Sequence, residues 1–132
     1  MRRVDLTLPG LPPRVAFPRQ HEGRHYQARS GIKRSMAADV MMLVQGTQQI
    51  QRVLRGRPFE RARVTITWRS PRGNFDADNA LAAMKGWIDG LVRGGVLVND
   101  TVLRVSYVLS WERADRESTE FEILERPEKE ET

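Results

Sequence analysis

Cysteine is absent from this chain of 132 residues, and long hydrophobic runs are absent as well. Without cysteine, disulfides, thiolate metal ligands and cysteine nucleophiles are all excluded. A fold without cross-links is typical of intracellular proteins, so we expect a cytoplasmic location. No stretch approaches the roughly 18 apolar residues of a membrane span, so the sequence predicts neither a membrane helix nor a signal peptide.

The net charge of +5 is unevenly distributed along the chain. Residues 1–75 carry 15 lysines and arginines against 4 acidic residues, whereas residues 76–132 carry 7 against 13. A basic first half indicates a polyanionic partner. Of the 22 cations 19 are arginine, whose planar guanidinium suits phosphate oxygens. The arginine-to-lysine ratio alone is equally typical of a GC-rich genome.

The hydrophobic periodicity predicts a single α+β domain, with a mixed β-sheet and two main helices in the order β-α-β-α-β-β. We expect strands over residues 4–8, 60–69, 102–112 and 119–124, and helices over 32–54 and 79–92. One face of the third strand is predicted to carry Leu103, Val105, Tyr107, Leu109 and Trp111. The last two strands are predicted to pair as a hairpin, and Ser30 to cap the first helix. The domain spans residues 1–125, and residues 126–132 form a charged tail that we expect to be disordered.

The strand over 60–69 alternates most clearly, which predicts one buried face and one basic face. Its apolar residues are Ala62, Val64, Ile66 and Trp68. The opposite face carries Arg61, Arg63 and Arg69, and with Arg72 in the next loop they form a predicted phosphate-binding surface. Arg24, in the loop before the first helix, is a further candidate DNA contact. The same pattern is also typical of a strand face that only meets solvent.

Two aspartates, Asp76 and Asp78, stand directly before the predicted second helix. In extended backbone, residues two apart point to the same side, so their carboxylates can converge on one cation. Mg²⁺ suits such a site because it prefers oxygen ligands and needs only one or two protein carboxylates. Asp100 follows the helix and joins the pair if all three acids meet at one edge of the sheet. The alternative is that Asp78 or Asn79 only caps the helix.

The order and spacing of these residues resemble the RusA family of Holliday-junction resolvases, over roughly residues 4–125. The matching motifs are Asp76-Ala77-Asp78-Asn79, a helix with Lys85, then Asp89-Gly90-Leu91, Gly95 and Asn99-Asp100. A weaker N-terminal match comprises Leu8-Pro9, Pro12-Pro13 and a loop with Arg19, His21, Gly23-Arg24 and Tyr26. The chain departs from the family at Ala82, where a functional lysine is usual, and at Phe75, where a basic residue is usual.

The resemblance implies a RusA-like, homodimeric, Mg²⁺-dependent endodeoxyribonuclease that resolves Holliday junctions by symmetric paired nicking in DNA recombination and repair. It implies that Asp76, Asp78 and Asp100 are catalytic metal ligands, that Mn²⁺ can substitute, and that a bacterium or phage encodes the protein. Lys85 is the candidate for the family's lysine, because helical side chains lean toward the N-terminus and Lys85 can reach back toward the acids. Two other classes stay open: a DNA-binding module that has lost full nuclease activity, and a protein-interaction module with a merely capped helix.

Overall fold

The computed structural model describes residues 1–17, 26–73, 76–101 and 103–127, with the backbone alone for residues 15, 26–30, 77 and 78. The strands are β1 Arg3–Pro9, β2 Ala62–Ser70, β3 Val105–Arg113 and β4 Ser118–Glu125. The helices are α1 Tyr26–Gly46, α2 Gln48–Leu54, α3 Ala77–Ala83 and α4 Lys85–Arg93, and a 3₁₀ turn covers Arg14–Ala16. Among these described helices, none combines the length and apolar character that crossing a membrane requires.

The four strands form one mixed sheet in the order β1-β4-β2-β3. β4 pairs antiparallel with β1 and β2, whereas β2 pairs parallel with β3. A parallel pair needs a crossover connection, and α3 and α4 supply it. The predicted α+β class with a mixed sheet is therefore confirmed. The predicted hairpin of the last two strands is wrong, because β2 lies between β3 and β4 and pairs with each of them.

The helices cover one face of the sheet and enclose the core with it. Side chains of the sheet that are buried in this core are Val4, Leu6, Leu8, Ala62, Val64, Ile66, Trp68, Phe121 and Ile123. The predicted apolar face of the strand over 60–69 is thus confirmed. Trp87 of α4 reaches the sheet and meets Phe121 edge to face, with 6.2 Å between ring centroids. α4 is therefore fixed against the central strand β4.

Glycines bring α1 and α4 unusually close together. A Cβ at Gly86 would lie 2.7 Å from the Cβ of Met36, and a Cβ at Gly90 would lie 2.7 Å from the carbonyl oxygen of Ala37. Real Cβ atoms essentially never approach so closely, so only glycine permits this separation of the two helices. The packing of α4 on α1 fixes the position of the residues that α4 presents at its N-terminal end.

The first predicted helix is longer than expected and is broken near its end. It begins at Tyr26, so Ser30 lies inside it and is not its N-cap. The polar residues of its first turns carry no apolar period, and the sequence pattern therefore could not mark its start. Thr47 separates α1 from α2 with an extended backbone, and its hydroxyl donates to the carbonyl of Leu43 at 2.6 Å. Gly46 precedes this break and has a low helix propensity.

The second predicted helix is also divided, at Met84. This residue has φ −91° and ψ 1°, and its N–H donates to the carbonyl of Leu81 at 3.2 Å, as in a tighter helical turn. α4 ends as the sequence predicts, at Gly94 followed by Gly95 with φ +84°. The break at Met84 interrupts the regular helical geometry between α3 and α4.

β3 is an edge strand, and it begins at Val105 rather than at residue 102. Leu103 lies before the strand and is 82% exposed, and Trp111 is 40% exposed. Tyr107 and Leu109 are half-buried against the core. The predicted apolar face of this strand is therefore only partly covered, because a strand at the edge has a neighbour on one side alone.

The start of the predicted tail is bound to the sheet. The N–H of Arg126 donates to the carbonyl of Arg61 at 2.9 Å, and its guanidinium donates to Ser106 Oγ at 3.2 Å. Ordered structure thus continues beyond the boundary at residue 125. The rest of the predicted tail, residues 128–132, lies outside the described residues.

Candidate active site

The backbone at Asp76 starts α3. Asp76 has φ −78° and ψ 132°, and its carbonyl accepts the first helical hydrogen bond, from Ala80 N–H at 2.9 Å. Its side chain is exposed and makes no capping hydrogen bond. Asp76 therefore occupies the N-cap position through its backbone alone, and its carboxylate is not used to cap the helix.

Asp78 lies inside α3 rather than in extended backbone. The prediction that Asp76 and Asp78 both stand in extended backbone is therefore wrong, and a helix changes the direction of side chains by about 100° per residue. The side chain of Asp78 lies outside the described residues, as do Asn74 and Phe75. Whether the two carboxylates converge stays a prediction.

Two predicted catalytic residues that are 15 positions apart meet directly. Lys85 Nζ lies 2.5 Å from Asp100 Oδ2 and 3.0 Å from Asp89 Oδ1. Asp89 is one helical turn after Lys85 on α4, which is the spacing of an i,i+4 ion pair. We call Lys85, Asp89 and Asp100 the lysine group. Its two carboxylates are about a third exposed, 32% for Asp89 and 31% for Asp100, and the lysine is 45% exposed.

The chain returns to Lys85 through a short extended segment. After Gly95 the backbone runs alongside Phe59, which donates to the carbonyl of Val96 at 2.7 Å and accepts from Val98 N–H at 3.1 Å. The side chains of Phe59, Val96 and Leu97 are buried, so this segment is fixed to the core. Asp100 follows two residues after Val98 and is thereby held beside the start of α4.

Electrostatics in the lysine group favour the charged form of every member whose pKa is shifted. Burial works to lower the pKa of Lys85, but hydrogen bonds to Asp100 and Asp89 outweigh it, and the net pKa is raised. The hydrogen bond from Lys85 lowers the pKa of Asp100 against the opposing effect of burial. The group places one lysine against two aspartates, so its formal charge is −1.

The charges of the lysine group act on the phenol of Tyr107 in β3. Burial, followed by the negative charge of Asp100, raises the pKa of the Tyr107 phenol to about 12. The sequence assigned Tyr107 to the apolar side of its strand and gave no functional signal for it. Asp89 carries no separate functional prediction, although its spacing of four from Lys85 indicates the ion pair.

The donors of this region fit a hard divalent cation only in part. Carboxylate oxygens are the ligands that Mg²⁺ prefers, and Asp100 in the lysine group and the exposed Asp76 at the start of α3 each carry them. One oxygen of Asp100 is already bound by Lys85. Across residues 1–17, 26–73, 76–101 and 103–127, no three His, Cys, Asp or Glu side chains lie together as a metal site. Because the Asp78 carboxylate is not included there, the predicted three-acid site remains untested.

The predicted DNA-binding arginines fall into different surroundings. Arg69 donates to Glu112 Oε2 at 2.9 Å and to Glu120 Oε1 at 3.2 Å, so its guanidinium is already engaged by two carboxylates. Arg63 and Arg72 are exposed, and Arg61 is half-buried at the start of β2. Arg24 lies outside the described residues. The role of these arginines in binding DNA stays a prediction.

Comparison with known proteins adds no family assignment. No model of a known protein family matches the chain, and no curated protein matches it. The resemblance to RusA resolvases therefore rests on the motif residues between Asp76 and Asp100. Of these, the structure brings Lys85, Asp89 and Asp100 into contact.

Proposed function

We propose that this protein is a Mg²⁺-dependent endodeoxyribonuclease that acts as a homodimer and resolves Holliday junctions by paired nicking. The observation that carries the proposal is the contact of Lys85 Nζ with Asp100 Oδ2. Two residues picked out by the family motif, on separate elements, meet at a partly exposed and net negative group. Such a group of perturbed charges is typical of a site for a cation or for chemistry.

Asp76, Asp78 and Asp100 would hold the metal through carboxylate oxygens. When bound, Mg²⁺ would activate a water and neutralise charge on the scissile phosphate. Lys85 stays protonated at neutral pH because its pKa is raised, so its role is to stabilise negative charge on phosphate oxygens and not to accept a proton. Asp89 is a second partner of the lysine, at 3.0 Å. It thereby keeps the ammonium in place when Asp100 turns to another cation.

A homodimer suits a four-way junction, which has approximate two-fold symmetry. A C2 dimer presents two equal sites, and each would nick one of two equivalent strands. The basic excess of residues 1–75 supplies attraction for the DNA backbone. These two features are expectations from the sequence, and the experiment below tests both.

The test is incubation of a labelled four-way junction and a matched linear duplex with Mg²⁺, with Mn²⁺, or with EDTA. We expect paired symmetric nicks in the junction with either metal and no nicks in EDTA. Asp76→Asn should abolish cleavage while junction binding persists or tightens, because repulsion of phosphate by the carboxylate is removed. Wild-type cleavage by this variant in Mg²⁺ would show that the metal ligands are assigned wrongly.

A second candidate is a DNA-binding module without full nuclease activity. It is favoured by Ala82, which stands where the family has a functional lysine, and by the lysine that already binds Asp100. This module would bind junctions equally well with and without Mg²⁺ and would leave them uncut. A protein-interaction module, the third class, would have no affinity for DNA at moderate salt. The same incubation, with a binding readout added, separates the three.

A further inference from the structure

A basic cleft opens at the end of the sheet where β2 begins and β4 ends. It has a volume of about 570 Å³, and its charged lining residues are Arg2, Arg57, Glu60, Arg61, Glu125 and Arg126. We call it the arginine cleft. Four arginines against two glutamates give its lining a net charge of +2. Arg57 and Arg126 were not among the residues that the sequence singled out.

One wall of the cleft neutralises its own charge. Arg2 pairs with Glu125, with Nη2 at 2.8 Å from Oε2 and Nε at 3.1 Å from Oε1. The same guanidinium donates to the carbonyl of Leu54 at 3.2 Å and to that of Arg57 at 2.8 Å, and it stacks over the Phe59 ring at 4.6 Å. Carbonyls at the C-terminal end of a helix repel anions. Arg2 covers these carbonyls and so removes that repulsion from the cleft.

Two other arginines of the lining, Arg57 and Arg61, are not neutralised in this way. Within the part of the chain that the structure describes, neither Arg57 nor Arg61 forms an ion pair with a carboxylate. Arg126 is oriented by Ser106, 3.2 Å away. Glu60 is exposed, and its carbonyl accepts a hydrogen bond from Arg104 at 3.4 Å. Guanidinium groups that face an open cleft without carboxylate partners are suited to bidentate contacts with phosphate.

The cleft adjoins the candidate active site. Val98 lines the cleft, and Asp100 follows it by two residues. Two extended residues span at most about 7 Å, so the edge of the cleft and Asp100 are close along the chain. A polymer with regularly spaced phosphates can therefore occupy the arginine cleft and reach the lysine group at the same time, whereas a single small anion cannot.

We propose that the arginine cleft binds the phosphodiester backbone of a DNA strand that continues past Asp100. The choice of DNA as the ligand rests on the proposed function. The affinity of the cleft for phosphates does not require that the protein cleaves. Arg57 and Arg61 make the principal contacts, and the Arg2–Glu125 pair shapes the wall behind them.

The test compares two double variants that lose the same charge. Arg57→Gln/Arg61→Gln alters the cleft, and Arg113→Gln/Arg116→Gln alters exposed arginines at the opposite end of the sheet. Binding of a labelled four-way junction is measured by fluorescence anisotropy in EDTA, over a series of salt concentrations, after thermal unfolding has established that both variants fold. We expect the cleft variant to bind at least about tenfold more weakly and its salt slope to fall by about 1 to 2. The control should change affinity by less than about threefold, because neither Arg113 nor Arg116 lines the cleft.

Equal losses in the two variants would overturn the proposal, because net charge alone would then explain them. Unchanged binding by the cleft variant would overturn it as well. If the cleft variant lost binding to an acidic polyglutamate peptide but not to the junction, the cleft would be a protein-binding site instead. A wild-type protein that binds the junction through the cleft but never nicks it would refute the nuclease proposal and leave the cleft intact.

Discussion

Lys85 and Arg69 each lie between two carboxylates, and the two groups differ in which partner is covered. In the lysine group, Lys85 is 45% exposed and its two acids are 31% and 32% exposed. In the second group, Arg69 is 29% exposed, whereas Glu112 and Glu120 are 60% and 38% exposed. The acids are the more covered partners in one group, and the cation is the more covered partner in the other.

The elements that each group connects make one a candidate site and the other a structural brace. Arg69 lies on β2 and links Glu112 of β3 to Glu120 of β4, so it ties three strands together on the outer face of the sheet. The lysine group joins a helix to the segment that precedes β3, and it holds partly desolvated carboxylates at a surface. A carboxylate that is partly removed from water attracts a nearby cation more strongly than an exposed one, because the attraction is less screened.

The largest expected effect is the loss of cleavage when Asp100 is neutralised. Asp100→Asn removes a predicted metal ligand and the partner of Lys85, and we expect junction cleavage to fall by at least about 100-fold. Glu112→Gln makes the same chemical change in the Arg69 group and should leave the cleavage rate within about twofold of wild type. Single-turnover nicking of a labelled junction measures both. Equal rates for Asp100→Asn and Glu112→Gln would erase the distinction between the two groups.

Next in size is the effect of the helix packing that positions the lysine group. In Gly90→Ala the new Cβ would lie 2.7 Å from both the Ala37 carbonyl oxygen and the Val40 Cβ, so α4 must move away from α1. We expect a loss of about 1–3 kcal/mol in the free energy of unfolding, the usual cost of overpacking. Gly46→Ala is the control, since its Cβ would meet no atom within 4 Å and alanine favours helix. Urea unfolding measures both, and a Gly90→Ala stability within about 0.5 kcal/mol of wild type would refute the tight contact.

The elements with strong local patterns could be predicted from the sequence. The alternation from Ala62 to Trp68 is a local property, and the structure buries all four of its apolar side chains. The end of α4 at Gly94 and Gly95 was equally local, since glycine ends helices. Predictions of this kind succeed because a few neighbouring residues determine them.

The order of the strands could not be predicted, because it depends on distant pairings. β3 and β4 are consecutive, antiparallel and joined by a polar turn, which is also how a hairpin looks in sequence. β3 and β4 are not neighbours in the sheet, because β4 pairs with β1 along one edge and with β2 along the other. Trp111 is 40% exposed on the edge strand β3, although its apolar side chain predicts burial.

The candidate site was predicted in part. The family motif selected Lys85 and Asp100, and the structure places them in contact. The motif did not indicate Asp89 as the second partner of the lysine. It did not indicate Tyr107 either, because the position of β3 depends on its parallel pairing with β2, which is distant in sequence. The helical position of Asp78 was missed because the helix starts two residues earlier than its apolar pattern.

A smaller effect is expected when Lys85 is replaced, because the ion pair of Lys85 and Asp100 makes the free energy of unfolding depend on pH. The pKa of Asp100 is lowered from 3.8 by Lys85, so this carboxylate stabilises the fold above that pH and its contribution is lost as the pH falls through the lowered value. The pKa of Lys85 is raised from 10.5, so its contribution is present below that pH and is lost as the pH rises through the raised value. Lys85→Met should therefore be less stable than wild type by up to about 1 kcal/mol at neutral pH, because the pair is partly exposed.

Urea unfolding at several pH values tests this expectation. The difference between wild type and Lys85→Met should narrow below the ordinary pKa of Asp100 and again above that of Lys85. Arg3→Met is a control on the outer face, where the arginine contacts Asp5 and Glu122 at 3.0 and 3.1 Å but is 55% exposed. A difference that stays constant from strongly acidic to neutral pH would mean that Lys85 stabilises the fold through its aliphatic chain and not through its charge.

The smallest expected effect is the loss of stability when Arg69, the cation of the second group, is replaced. Arg69→Met keeps an aliphatic chain over the sheet and removes the two ion pairs, which are partly exposed and therefore stabilise the fold by about 1 kcal/mol or less. Because screening acts on exposed charges, the loss should shrink further in about 1 M salt. Urea unfolding at low and high salt measures it. A loss of several kcal/mol that salt does not reduce would mean that Arg69 is a buried charge of the core, and the contrast between brace and site would then need another basis than exposure.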